Sequence, residues 1–142
     1  MSPGNSAGTM TVDGNFNLLD SGIFDVEIGG FTTGTFDFLD VKGDADLDGS
    51  INFSFLNGYN IVTDFGPYES KEFTFLSAGH INSFNSVINY NLRNFPNFQY
   101  NVFQRGNDLV FEATNLVPVP SAIILGGLGL TFSGWMLKRK NE

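Results

Sequence analysis

Two stretches, MTVDGNFNLLDSGIFDVEI over residues 10–28 and LDVKGDADLDGSINFSF over residues 39–55, carry one pattern twice. Met10/Leu39, Val12/Val41, Gly14/Gly43, Phe16/Ala45 and Leu18/Leu47 align at an offset of 29 residues. After a gap, Gly22/Gly49, Ile23/Ser50 and Phe24/Ile51 align at an offset of 27. Within each stretch apolar and polar residues alternate, the period of a half-buried strand. A self-similarity of about 20–50 residues is the signature of stacked coils, each burying its apolar face against its neighbours. The expected fold class is therefore all-β, a short β-solenoid (β-helix) body, with a plain antiparallel β-sandwich as the alternative.

The alternation continues outside the two stretches, in Phe73–Leu76, Val87–Leu92, Phe98–Phe103 and Leu109–Glu112. Gly or Asn interrupts nearly every interval, as at Gly14, Gly22, Gly29-Gly30, Gly43, Gly49, Gly58, Gly79 and Gly106-Asn107, where turns are expected. The 17 Gly and 16 Phe among 142 residues depart from helical composition and agree with strands separated by turns. There is no Cys, which excludes disulfides, thiolate metal sites and thiol catalysis. Residues 1–120 hold four bases and fourteen acids, a net charge of −10. Such a body repels phosphate backbones, so no nucleic-acid partner is expected.

The last 26 residues read differently, and the expected boundary lies between a β body, 1–116, and a tail, 117–142. Val117-Pro118-Val119-Pro120 stops any preceding strand. Residues 121–137, SAIILGGLGLTFSGWML, run 17 positions without a charge and lead directly into Lys138-Arg139-Lys140. As a helix this segment would extend about 25 Å, close to the hydrocarbon core of a bilayer. Trp135 beside the basic cluster is placed as an interfacial anchor, and the cluster sets the cytoplasmic end. The competing reading, a buried core helix, is weakened by Gly126, Gly127, Gly129 and Gly134, each costing about 1 kcal/mol in a soluble helix.

Proline motif, apolar span and basic cluster, in this order at the end of a chain, resemble the PEP-CTERM sorting signal. The resemblance covers residues 117–140 and implies recognition by an exosortase, a membrane cysteine protease, with cleavage near the proline motif. The Glu usual between the prolines is Val119 here, a departure that bears on cleavage. A second resemblance rests on Ser2-Pro3-Gly4-Asn5-Ser6-Ala7-Gly8-Thr9-Met10-Thr11-Val12 and Gly14-Asn15-Phe16. This opening is similar to coils of autotransporter-like and filamentous-haemagglutinin-like β-helices. The run from Phe38 to Gly79, with LDVKG, DGSINFSFLNGY and FTFLSAG, is similar to their closing coils. Such regions are stalks or adhesive surfaces. Met1 runs straight into SPGNSAG without a basic and then apolar leader, so the chain is expected to be a fragment, the C-terminal part of a longer exported protein.

Asp44-Ala45-Asp46-Leu47-Asp48-Gly49-Ser50-Ile51 matches the first eight positions of an EF-hand or dockerin calcium loop. In that loop a turn at Gly folds alternating carboxylates onto one ion. The twelfth position, which should be acidic, is Phe55, and INFSF alternates as a strand rather than a helix. Asp44, Asp46 and Asp48 are therefore candidate calcium ligands, or solvent-facing residues of a coil opposite Asp13, Asn15 and Asn17. His80 has no evident nucleophile or orienting carboxylate and reads as a surface residue. The pairs Asp37/Asp40 and Glu69/Glu72 lack the sugar platforms of a glycosidase, and no catalytic residues are assigned. Phe95, Phe98, Tyr100 and Phe103 read as core, with an exposed aromatic surface as the alternative.

Together these readings give the expectation of a non-enzymatic bacterial surface or extracellular-matrix protein, structural or adhesive. Its expected partners are the membrane, an exosortase, and extracellular polysaccharide or other surface proteins. A calcium-binding surface module and the tail of an extracellular hydrolase are the alternatives. No cofactor is expected beyond calcium.

Overall fold

The computed structural model describes residues 7–92 and 95–117. The proline residues Pro118 and Pro120, Val119 between them, and the anchor residues Trp135, Lys138, Arg139 and Lys140 lie outside them. Among the described residues no helix is long and apolar enough to cross a membrane.

The described chain is all-β apart from one short 3-10 turn, Ile61–Asp64. It makes three turns, each contributing one strand to each of three sheets. The first turn holds β1 (Thr9–Val12), β2 (Phe16–Leu18) and β3 (Ile23–Ile28). The second holds β4 (Phe38–Val41), β5 (Asp44–Leu47) and β6 (Ser50–Phe55). The third holds β7 (Ser70–Ser77), β8 (His80–Phe84) and β9 (Val87–Tyr90). An antiparallel pair, β10 (Phe98–Arg105) and β11 (Asp108–Asn115), follows. The sheet orders are β1-β4-β7-β11-β10, β2-β5-β8 and β3-β6-β9.

All pairs among the first nine strands are parallel. The register between the first two turns follows the sequence repeat: Met10 faces Leu39, Phe16 faces Ala45 and Phe24 faces Ile51. Among the described strands β10–β11 and β11–β7 run antiparallel, the pairing that the sandwich reading expected throughout.

Alternation places one face of each strand inside. In β3, Phe24, Val26 and Ile28 are fully buried while Asp25 and Glu27 point outward. Leu39, Leu47, Ile51, Phe53, Phe75, Leu76 and Phe111 continue the interior. Phe53 forms its aromatic hub, 5.0 Å from Phe75 and 4.8 Å from Phe111 between ring centroids.

Corners between strands bring backbone onto backbone, and glycine makes this approach feasible. A Cβ at Gly49 would fall on the carbonyl oxygens of Gly22 and Leu19, and one at Gly43 would come within 2.8 Å of the Gly14 carbonyl group. Gly22 and Gly49 stack at one corner, Gly14, Gly43 and Gly79 at another.

Two excursions leave the coils. Gly29–Phe36 folds back on itself, with Gly29 N–H donating to Thr35 O at 2.6 Å and a bridge between Ile28 and Phe36. Asp37 ends it, fully buried, and closes the first turn: its carboxylate accepts from the N–H groups of Gly8 and Glu27, each at 2.8 Å. The second excursion, 56–69, contains the 3-10 turn, whose Asn60 side chain accepts from Val62 N–H at 3.1 Å.

The β10–β11 hairpin covers the last turn. Its turn uses Gly106 at φ 63°, and Phe98, Tyr100 and Val102 pack on the core.

Candidate functional site

Asp44 and Asp46 lie on strand β5, and Asp48 follows it at the corner before β6. An EF-hand ligand loop curls around its ion, whereas here the first four positions of the motif are extended. Gly49, which a calcium loop would use for its turn, is the corner residue stacked on Gly22. The parallel ladder then sets polar side chains beside the carboxylates. Asn17 is the register partner of Asp46, and Asn15 Oδ1 accepts from Asp44 N–H at 2.8 Å.

From the third turn, Asn82 Nδ2 approaches Asp44 at 3.4 Å and Asp46 at 3.5 Å. Ser83 Oγ donates to Asp46 at 3.3 Å and Asn85 Nδ2 to Asp48 at 3.3 Å. These contacts link one turn to the next. Among the described residues no three or more His, Asp or Glu side chains converge as a metal site would require. A second ladder, Asp25–Asn52–Asn89, crosses all three turns on the outer face of β3-β6-β9, with bonds of 3.1 and 2.8 Å. Repeating amides and carboxylates at one register position is a sheet-stabilising device. Sequence pattern alone did not reveal it, because its three members are 27 and 37 residues apart.

His80 opens β8 and is the register partner of Asp44, a neighbour invisible in sequence. Of the carboxylate pairs, Asp37 is occupied by two backbone N–H groups, while Asp40 bonds Lys42 at 2.7 Å. Burial pushes the Asp37 carboxyl up, against the opposing pull of its two backbone bonds. Glu27 is also raised, by burial first and then by the charges of Asp37 and Asp25. Glu69 accepts from Gly66 N–H at 2.7 Å. Glu72 is held by both terminal nitrogens of Arg105, at 2.5 and 3.1 Å, and these bonds keep its carboxyl below the usual range. Phe95, Phe98 and Tyr100 pack against the core, whereas Phe103 is half-buried under the Arg105 guanidinium, 5.2 Å from the ring centre. Burial pushes the Tyr100 phenol up to about 12.

The remaining place of interest is the point where the chain leaves the body. Asn115 is buried and ties the 66–69 segment to the end of the body. Its N–H donates to Glu69 O at 2.9 Å and its Nδ2 to Gly66 O at 2.9 Å, while its Oδ1 accepts from Val117 N–H at 3.0 Å. Leu116 N–H donates to Asn97 O at 2.6 Å. A hollow of about 300 Å³ lies beside this exit, lined by Val62, Phe65, Pro67, Phe95, Phe98 and Val117. The described fold is thus fastened through Val117, the residue directly before Pro118. Comparison of the chain with protein families, with curated proteins and with solved structures finds no match.

Proposed function

We propose that this chain belongs to an exported surface protein, a short β-solenoid body joined to a sorting tail, with a structural or adhesive role and no catalytic one. The observation that carries this reading is the join at Asn115–Val117. The hydrogen bonds of the body run up to Val117, and the sequence passes at once into Pro118-Val119-Pro120, an uncharged run and Lys138-Arg139-Lys140. A clamped body followed immediately by a proline stop separates a rigid passenger from a membrane segment. In this proposal an exosortase reads the tail, and the body is presented outside the cell toward polysaccharide or other surface proteins.

The in-register turns support the passenger role, since stacked coils make a stiff body from a chain with a small interior. The test is expression behind a secretory leader in a host that contains an exosortase, with an epitope at each end. The proposal expects the N-terminal epitope to be released or surface-exposed and the C-terminal one to be lost. It also expects Lys138, Arg139 and Lys140 replaced together by Gln to impair this sorting. An intact, doubly tagged chain held permanently in the inner membrane would count against it.

A further inference from the structure

We infer that the face of the body from which the chain leaves, around Val62, Tyr68 and Leu116, docks on the surface of a lipid bilayer while the tail is attached. Tyr68, Val62 and Leu116 are 61, 51 and 40% exposed. Val62 lines the hollow at the exit, and Tyr68 and Leu116 are the chain neighbours of two further lining residues, Pro67 and Val117. Asn115, bonded to Gly66 and Glu69, keeps the Tyr68 turn beside the exit.

Tyr68 carries the first observation. Glu69 N–H donates to Gly66 O at 3.2 Å, which closes a turn with Pro67 and Tyr68 at its centre. Tyr68 stands there at φ 55°, in the left-handed region that such a turn normally fills with Gly or Asn. The other left-handed positions among the described residues are Gly34, Gly58 and Gly106. A bulky residue in this conformation is strained where glycine would not be. Packing does not offset the strain, because Tyr68 is largely exposed. An apolar ring with a polar tip suits the border between hydrocarbon and water.

The second observation is the length of the tether. Exposed apolar side chains occur elsewhere, at Leu19, Ile23, Val87 and Tyr90, but only the exit group adjoins the apolar run. Three residues, 118–120, separate Val117 from the start of that run at Ser121. Even fully extended, the chain spans no more than about 14 Å from Val117 to Ser121. The headgroup layer on each side of a bilayer is roughly 6 Å thick. With 121–137 in the membrane, Val117 is therefore held at the headgroups or just above them. The carboxylates of this face are already engaged: Asp64 accepts from Tyr59 Oη at 2.7 Å, and Glu69 accepts from Gly66 N–H and lies 4.0 Å from Lys71. Residues 1–120 carry a net charge of −10, so a zwitterionic surface suits the body better than an anionic one.

The docking rests on the membrane segment proposed above for 121–137, and its test separates the two. The full-length chain has no Cys, so one introduced Cys carries one dye. Tyr68→Cys, Val62→Cys and, at the first turn, the control Asp13→Cys are labelled with a polarity-sensitive fluorophore and reconstituted into phosphatidylcholine vesicles. Trp135, the single tryptophan, reports insertion through quenching by brominated lipid. Trp135 should be quenched, and emission from positions 62 and 68 should shift to the blue and lose its quenching by aqueous iodide, while position 13 stays in water. Tyr68→Gly, which suits the turn, should return the label at 62 to iodide, whereas Tyr68→Phe, which keeps the ring, should not. Quenched Trp135 with labels at 62 and 68 as accessible as that at 13 would overturn the docking and leave the anchor standing. Unquenched Trp135 with the chain free of the vesicles would overturn the anchor, and the docking with it. Unchanged protection at 62 in Tyr68→Gly would overturn the part given to Tyr68.

Discussion

The first and second turns carry the same pattern in the same register, yet they occupy different environments. Leu39 is fully buried and its partner Met10 is partly exposed; Val41 is buried and Val12 is not. At the corners, Gly43 and Gly49 are pressed against backbone, whereas a Cβ at Gly14 would meet nothing within 4 Å. The second turn has a neighbour on both sides, and the described residues give the first turn a neighbour on one. In a stack, most of the stability assigned to a residue belongs to the interface between turns, so equivalent positions should respond unequally to the same substitution.

The largest expected effect is at the covered corner. Gly49→Ala places a methyl on two backbone carbonyls that cannot move without shifting the turn above, and it should cost about 3 kcal/mol. Urea denaturation of the purified chain measures this. A loss under about 1 kcal/mol would mean that the corners yield more easily than their crowding indicates. Next come the paired interior positions. Leu39→Ala removes a fully buried side chain and should cost about 3 kcal/mol, whereas Met10→Ala should cost about 1 kcal/mol. Equal costs would break the comparison between the two turns.

Much of this comparison was legible in sequence. The offsets of 29 and 27 are the register of β1–β4, β2–β5 and β3–β6, because both turns keep their inward residues and their corner glycines. The third turn was hidden by the excursion over 56–69, which stretches the offset to 37 between Leu39 and Leu76. At its second corner Ser86 stands where the other turns have glycine, although Val87 N–H still bonds Gly49 O of the turn before it. The hairpin was hidden for a different reason: alternation looks the same in a covering strand as in a coil strand, and only the Gly106 turn distinguishes them. The Asp44–Ile51 pattern was legible as letters, whereas the place of Gly49 at a corner stacked on Gly22 follows only from the fold. The aromatic cluster of Phe31, Phe36 and Phe73 forms only once the Gly29–Phe36 excursion folds over the sheet.

Closure of the first turn gives a smaller effect. Asp37→Asn keeps one acceptor but sets an amide N–H₂ against a backbone donor, so one of the bonds to Gly8 or Glu27 is lost, at a cost of about 2 kcal/mol. The pH response has a definite sign. The carboxyls of Asp37 and Glu27 are raised in the folded chain, so their ionisation opposes folding above the folded pKa. That cost disappears as pH falls through the folded pKa toward the ordinary carboxylate value. Glu72 runs the other way, its contribution present at neutral pH and lost in acid, but its exposure keeps it small. Glu27→Gln should therefore raise the melting temperature at pH 7 and leave it unchanged once the acid range is reached. Thermal melts at a series of pH values check this, and a lowered melting temperature at pH 7 would contradict the burial argument.

The smallest expected effect is also the sharpest, because its sign reverses between equivalent positions. Gly14 and Gly43 share one corner, one turn apart. Gly14 lacks the positive φ that makes a side chain strained, and open space surrounds its missing Cβ. Gly14→Ala should then act chiefly on the unfolded chain, reducing its conformational freedom and stabilising the fold by about 0.5 kcal/mol. Gly43→Ala brings its Cβ to 2.8 Å from the Gly14 carbonyl group and meets the Asn15 side chain as well, so it should destabilise by about 2 kcal/mol. Measured side by side in urea, opposite signs would show that the stacking neighbour, rather than glycine's own conformational preference, sets the value of the corner. A loss at Gly14 as large as that at Gly43 would instead mean that this corner is covered in solution, and the first turn would then have to be treated as an interior one.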